Sequence, residues 1–87
     1  MVVDDSKVCL KMSEKTLQEH CGADVLCAKS GKMALELLRQ DDYHLAKKVN
    51  LLLLDLVMPV MSGMHVLRIM KEDDELVDVP VVRLSFF

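Results

Sequence analysis

Asp4 and Asp5 stand side by side near the start of the chain, Asp55 closes an apolar run in its middle, and Ser85 lies near the end of another. Carboxylates drawn within a few ångström repel and raise one another's pKa. A divalent cation removes that conflict. Magnesium prefers hard oxygen ligands and takes one or two carboxylates together with waters and a phosphate oxygen. A carboxylate is also a nucleophile that can become an acyl phosphate. Phosphoryl transfer asks mainly for positioning and charge neutralisation, and a hydroxyl such as that of Ser85 can donate a hydrogen bond to a phosphoryl oxygen. If the fold gathers these four residues, they make a metal-assisted aspartyl-phosphate site.

The elements that would gather them are legible in the pattern. Leu51 to Leu54 is an apolar run bounded by polar residues, which suits a strand buried on both faces or a buried helix segment. Pro59 decides for a strand, because it forces Met58 toward an extended conformation and cannot continue a central strand. Ser62-Gly63 then suits a turn and helix start. Asp55 therefore stands at the carboxyl end of a strand, the edge where ligands bind in open α/β sheets. Upstream, Val2-Val3 predicts a short first strand ending at Asp4. Ser6 or Asp5 caps a helix from about Lys7 to His20. Its apolar side is Val8, Cys9, Met12, Thr16 and Leu17, and Gly22 terminates it. Ala23 to Ala28 predicts a second strand, and Lys32 to about Gln40 a second helix with Ala34, Leu35, Leu37 and Leu38 toward the sheet. Asp41-Asp42-Tyr43 falls in a polar connection. Met64, Val66, Leu67, Ile69 and Met70 predict a third helix, Glu75 to Asp78 a linker, and Val79 to Phe87 a fourth strand with Pro80 at its start. This alternation implies a parallel sheet with right-handed crossovers, which brings Asp4, Asp5, Asp55 and Ser85 to one edge.

Composition excludes several classes. Eighty-seven residues, 52% hydrophobic, make one small ordered domain. A net charge of −3 with no basic stripe argues against nucleic-acid binding. No apolar run reaches the length of a membrane span, and the start lacks the pattern of a signal peptide. Three cysteines at 9, 21 and 27 suit a reducing compartment, so the expected location is cytoplasmic, or nuclear in a eukaryote. Cys9, His20, Cys21 and Cys27 lack zinc-site spacing. Glu72-Asp73-Asp74-Glu75 lacks the glycine and alternation of a calcium loop and reads as a solvated helix end. The methionines at 58, 61, 64 and 70 read as packing, and His44 and His65 as exposed.

Val2-Val3-Asp4-Asp5-Ser6, Asp55-Leu56-Val57-Met58-Pro59-Val60-Met61-Ser62-Gly63 and Pro80-Val81-Val82-Arg83-Leu84-Ser85 together resemble the receiver domain of two-component response regulators. Ala28-Lys29-Ser30-Gly31-Lys32-Met33-Ala34-Leu35 is similar to that family's second strand–helix junction. The resemblance runs through nearly the whole chain. It implies a flavodoxin-like, doubly wound parallel sheet. It also implies that Asp55 accepts a phosphoryl group from a histidine kinase or histidine phosphotransfer protein. Asp5, Asp55 and the backbone carbonyl of Val57 would bind magnesium, Asp4 would act through a water, and Ser85 would be the switch hydroxyl.

Against that family the chain stops at Phe87, after the fourth strand, so residues 1–87 read as a single partial receiver of about four strands and three helices. The family's fifth strand, last two helices and active-site lysine have no counterpart; Lys47, Lys48 and Lys71 are not in its place. Phe86 stands where a small residue is usual. Two expectations follow. The first is self-association through an exposed fourth strand, or membership of a longer protein. The second is an alternative function, a non-switching pseudo-receiver that serves as an interaction module. A third class, an aspartyl-phosphate phosphatase, is disfavoured because the resemblance to such enzymes asks for a second acid where Val57 stands. The expectation is therefore a phosphoacceptor and not an enzyme.

Overall fold

The computed structural model describes residues 1–40 and 49–84. Ser85, Phe86 and Phe87, and the stretch that holds Asp41, Asp42, Tyr43, His44, Lys47 and Lys48, lie outside the described residues. In chain order the elements are β1 (Val2–Val3), α1 (Lys7–Cys21), β2 (Cys27–Ala28), α2 (Gly31–Leu38), β3 (Leu52–Asp55), α3 (Gly63–Glu72) and β4 (Val81–Leu84). The four strands form one sheet in the order β2-β1-β3-β4, and every pairing is parallel. The predicted α/β class and element order therefore hold.

Each helix starts where a serine supplies the missing acceptor. Ser6, Ser30 and Ser62 lie in extended backbone, and their hydroxyl oxygens accept from the N–H groups of Cys9 (3.3 Å), Met33 (3.1 Å) and His65 (3.3 Å). These are N-caps, each worth about 1 kcal/mol. Gly22, at φ 61°, ends α1 in the left-handed conformation, and its N–H donates to the Gln18 carbonyl at 3.2 Å.

The larger part of the core lies on one side of the sheet. Val3, Ala28, Leu52 and Leu54 from the strands pack with Ala34, Leu35 and Leu38 of α2 and Val66, Leu67 and Met70 of α3. Gly31 brings the two helices close, since a Cβ there would run into the Val66 side chain. The segment after α3 is more than a linker. Leu76 is fully buried, held by turns in which its N–H and that of Val77 donate to the Asp73 carbonyl, both at 2.9 Å. Asp73 also pairs with Arg39 at 3.3 Å, which ties the ends of α2 and α3 together.

Three expectations change. Leu51 to Leu54 are not buried on both faces: Leu52 and Leu54 are buried, Leu53 is partly covered and Leu51 is exposed. Strand side chains alternate: Leu52 and Leu54 face α2 and α3, while Leu53 shares the other face with its register partner Val2, which is buried there. The apolar side of α1 is rotated from that predicted. Val8 and Met12 are 67% and 65% exposed, and Cys9 and Thr16 are exposed too. The covered set is Leu10, Ser13, Glu14 and Leu17, also at helical spacing but partly polar. Finally, β2 is only Cys27–Ala28, preceded by irregular chain from which the Leu26 carbonyl still accepts the Val2 N–H at 2.8 Å. β4 likewise begins at Val81, one residue after Pro80, whose carbonyl accepts from Leu52 at 2.8 Å.

Glu14 is half-covered because it has a partner: the Cys27 thiol donates to its Oε2 at 3.2 Å. Burial pushes the Cys27 thiol up from its ordinary pKa, and the hydrogen bond and negative charge of Glu14 push it further, against a smaller lowering by the N-terminal amine. The thiolate is the nucleophile. Cys27 is therefore expected to be alkylated by iodoacetamide several-fold more slowly than Cys9 and Cys21 at pH 8, and Glu14→Gln to speed it. Peptide mass spectrometry over a time course checks both.

Candidate functional site

The carboxyl ends of β1 and β3 lie side by side because Val3 pairs with Leu54. The next residue on each strand is an aspartate. Asp4, Asp5 and Asp55 each bring a carboxylate oxygen within 4.8 Å of the other two. Asp4 and Asp55 are buried, and Asp5 is exposed. The ladder continues to this level: the Asp4 N–H donates to Ala28 and the Leu56 N–H to Leu84, both at 3.1 Å.

Two short turns aim the buried carboxylates. Asp4 Oδ1 accepts the Ser6 N–H at 2.9 Å, and Asp55 Oδ1 accepts the Val57 N–H at 3.0 Å. An aspartate that binds the backbone two residues on fixes its own rotamer. Among the described residues the second oxygen of each has no protein partner, and no buried side-chain oxygen is left without one. Among the described residues nothing occupies the second oxygen of either carboxylate, which leaves it as the ligand atom each can offer. Three negative groups converging with open oxygens fit a hard divalent cation such as magnesium. Among the described residues the donor set is all oxygen, with no histidine or sulfur in the cluster.

Of the residues singled out in the sequence, the fold brings Asp4, Asp5 and Asp55 together and places Val57 beside Asp55. Ser85 is outside the described residues; the residue before it, Leu84, is the register partner of Asp55. Val57 is 58% exposed at the rim.

The loop from Asp55 into α3 carries two constraints that spacing did not reveal. Gly63 donates its N–H to the Leu56 carbonyl at 3.1 Å, and a Cβ on it would collide with the Asp55 carbonyl oxygen and lie 2.7 Å from Leu56 Cα. The glycine therefore lets α3 start directly against the backbone at the carboxyl end of β3. Val60 has φ 68° and is fully exposed. A β-branched residue is disfavoured in the left-handed region.

Comparison with known proteins places these features in a family. The family model described as "Response regulator receiver domain" matches residues 1–87. The polar-differentiation response regulator DivK of Brucella anthropi is 31% identical over 87 residues, which is all of this chain and 65% of that protein. The Brucella ovis protein of the same name is 32% identical over the same share. Among solved structures, the N-terminal domain of a response regulator receiver protein from Methanoculleus marisnigri superposes with a TM-score of 0.82 at 34% identity, covering 97% of this chain and 63% of that one. Vibrio cholerae chemotaxis protein CheY4 gives 0.79 at 26%, covering 94% and 62%. The chain thus spans just under two thirds of the length of these relatives.

Two substitutions test the loop. Gly63→Ala is expected to destabilise the fold by about 1–3 kcal/mol through overpacking against the strand end. Val60→Asn is expected to stabilise it by about 1 kcal/mol, because asparagine tolerates the left-handed conformation. Urea unfolding midpoints at constant slope read both.

Proposed function

This chain belongs to the response regulator receiver domain family of two-component signalling, and we propose that Asp55 is its phosphoacceptor. The observation that carries the reading is the convergence of Asp4, Asp5 and Asp55 within 4.8 Å at the carboxyl edge of the sheet. Asp5, Asp55 and the Val57 carbonyl would hold magnesium, with Asp4 acting through a water. The ion would supply charge neutralisation where phosphoryl oxygens approach the carboxylates.

The donor in this reading is a phosphohistidine on a histidine kinase or histidine phosphotransfer protein. An Asp55 oxygen attacks phosphorus, and the new O–P bond forms as the P–N bond breaks. The electron pair returns to the imidazole nitrogen, which takes a proton from solvent. Asp55 Oδ1 is already held by the Val57 N–H, so the carboxylate is oriented before the donor arrives. Ser85 keeps its proposed role as the switch hydroxyl.

The module receives a group and does not turn substrate over. Apolar Val57 beside Asp55 offers no base to activate a water. Buried, prealigned carboxylates favour an acceptor over a non-switching interaction module. A cytoplasmic location suits three free cysteines, and among the described residues no helix is long and apolar enough to cross a membrane. Self-association through β4 is also proposed: among the described residues β4 pairs only with β3, and Val82 is 44% exposed.

Incubation with acetyl phosphate and magnesium is expected to add one phosphoryl group to Asp55, read by intact-mass and peptide mass spectrometry. Asp55→Asn or excess EDTA is expected to abolish it. Labelling that persists in Asp55→Asn would place the acceptor elsewhere. Sedimentation is expected to show dimers that Val82→Lys disperses; a monomer at all concentrations would remove the β4 contact.

A further inference from the structure

The acid cluster is flanked by cations that the reaction above does not use. Val3 has Ala28 on one side and Leu54 on the other. One step further along the sheet, Asp4 lies between Lys29 and Asp55. The 3.1 Å bond from the Asp4 N–H to the Ala28 carbonyl carries the ladder to that step. Neighbouring strands lie about 4.8 Å apart, so the Lys29 backbone is only two strand spacings from that of Asp55, within the compass of a four-carbon arm. Lys7 is the first residue of α1, two positions after Asp5, and Lys32 is the second residue of α2. All three lysines are exposed. Among the described residues none is in an ion pair, the pair present being Arg39–Asp73.

Lys7 and Lys32 run against local electrostatics. The amino ends of α1, α2 and α3 all open at this edge, and a helix amino end favours acids and disfavours lysine. None of the three has an acid in its first turn. Three lysines thus stand against the three carboxylates of the cluster, a local balance in a chain whose net charge is −3. Lysines here offset the mutual repulsion of the carboxylates. They also suit an anionic ligand: a phosphoryl dianion must approach three carboxylates, and one divalent ion does not cancel them all.

We propose that Lys7, Lys29 and Lys32 form a basic collar that draws the phosphoryl dianion of the donor onto the carboxylate cluster. The collar rests on the phosphoacceptor reading of Asp55. It acts on the anion before the O–P bond forms, by raising its local concentration at the edge of the sheet. Its signature is therefore electrostatic: the contribution is largest at low ionic strength and fades as salt screens exposed charges.

The test is the rate of Asp55 labelling by acetyl phosphate at saturating magnesium, measured from low to high ionic strength. Wild type is compared with Lys29→Gln and with the triple variant Lys7→Gln, Lys29→Gln, Lys32→Gln. The triple variant is expected to label about tenfold more slowly at low salt, Lys29→Gln by a smaller factor, and both gaps are expected to close at high salt. Thermal unfolding of the three proteins in saturating magnesium, with a cooperative transition expected well above the assay temperature in each, separates the effect from misfolding. Equal rates and equal salt dependence in all three proteins would overturn the collar and leave Asp55 standing. No labelling of wild type would overturn both.

Discussion

Three carboxylates held within 4.8 Å of one another are an electrostatic cost that the fold maintains. Like charges at that separation repel, more strongly where water is excluded, and Asp4 and Asp55 are buried. The surrounding architecture can be understood as what keeps them there. The parallel register of β1 and β3 brings two strand ends level. Backbone N–H groups of Ser6 and Val57 hold one oxygen of each buried acid. The packed side of the sheet, centred on Leu52, Leu54, Val66 and Met70, makes that arrangement rigid. A divalent cation bound there would offset the repulsion, which is why the cluster suits one.

The same economy explains the loop into α3. Gly63 allows the helix to begin in contact with the Asp55 carbonyl, so the amino end of α3 abuts the carboxyl end of β3. Before reaching Gly63 the chain turns through Pro59 and Val60, the latter in a conformation that valine adopts at a cost. Strain in a loop is tolerable when the packing around it fixes both ends. Met58 and Gly63 are buried on either side of Val60 and do so here.

Much of this was legible in the residues. The order of elements followed from apolar runs separated by serine, glycine and proline, and the structure keeps each boundary signal: Ser6, Ser30 and Ser62 cap helices, Gly22 ends one, and Pro80 precedes β4. The acids were legible because each follows an apolar strand. What failed were inferences that needed tertiary context. Val8 and Met12 are apolar but outward, while Glu14 is inward because it receives the Cys27 thiol; hydrophobicity alone could not choose that face. The contact of Gly63 with the strand end and the left-handed Val60 depend on how the loop folds back, which spacing does not encode. The lysines at positions 7, 29 and 32 acquire meaning only once the sheet order sets Lys29 beside Asp4.

The most direct test of the central claim is a magnesium titration of the uniformly labelled protein, followed by amide NMR. The account predicts saturable shifts concentrated at Asp4, Asp5, Asp55 and Val57, and their loss in Asp55→Asn with the rest of the spectrum intact. An unchanged spectrum, or weak shifts spread over acidic surface such as Glu72 to Glu75, would show that the convergent carboxylates do not form a metal site.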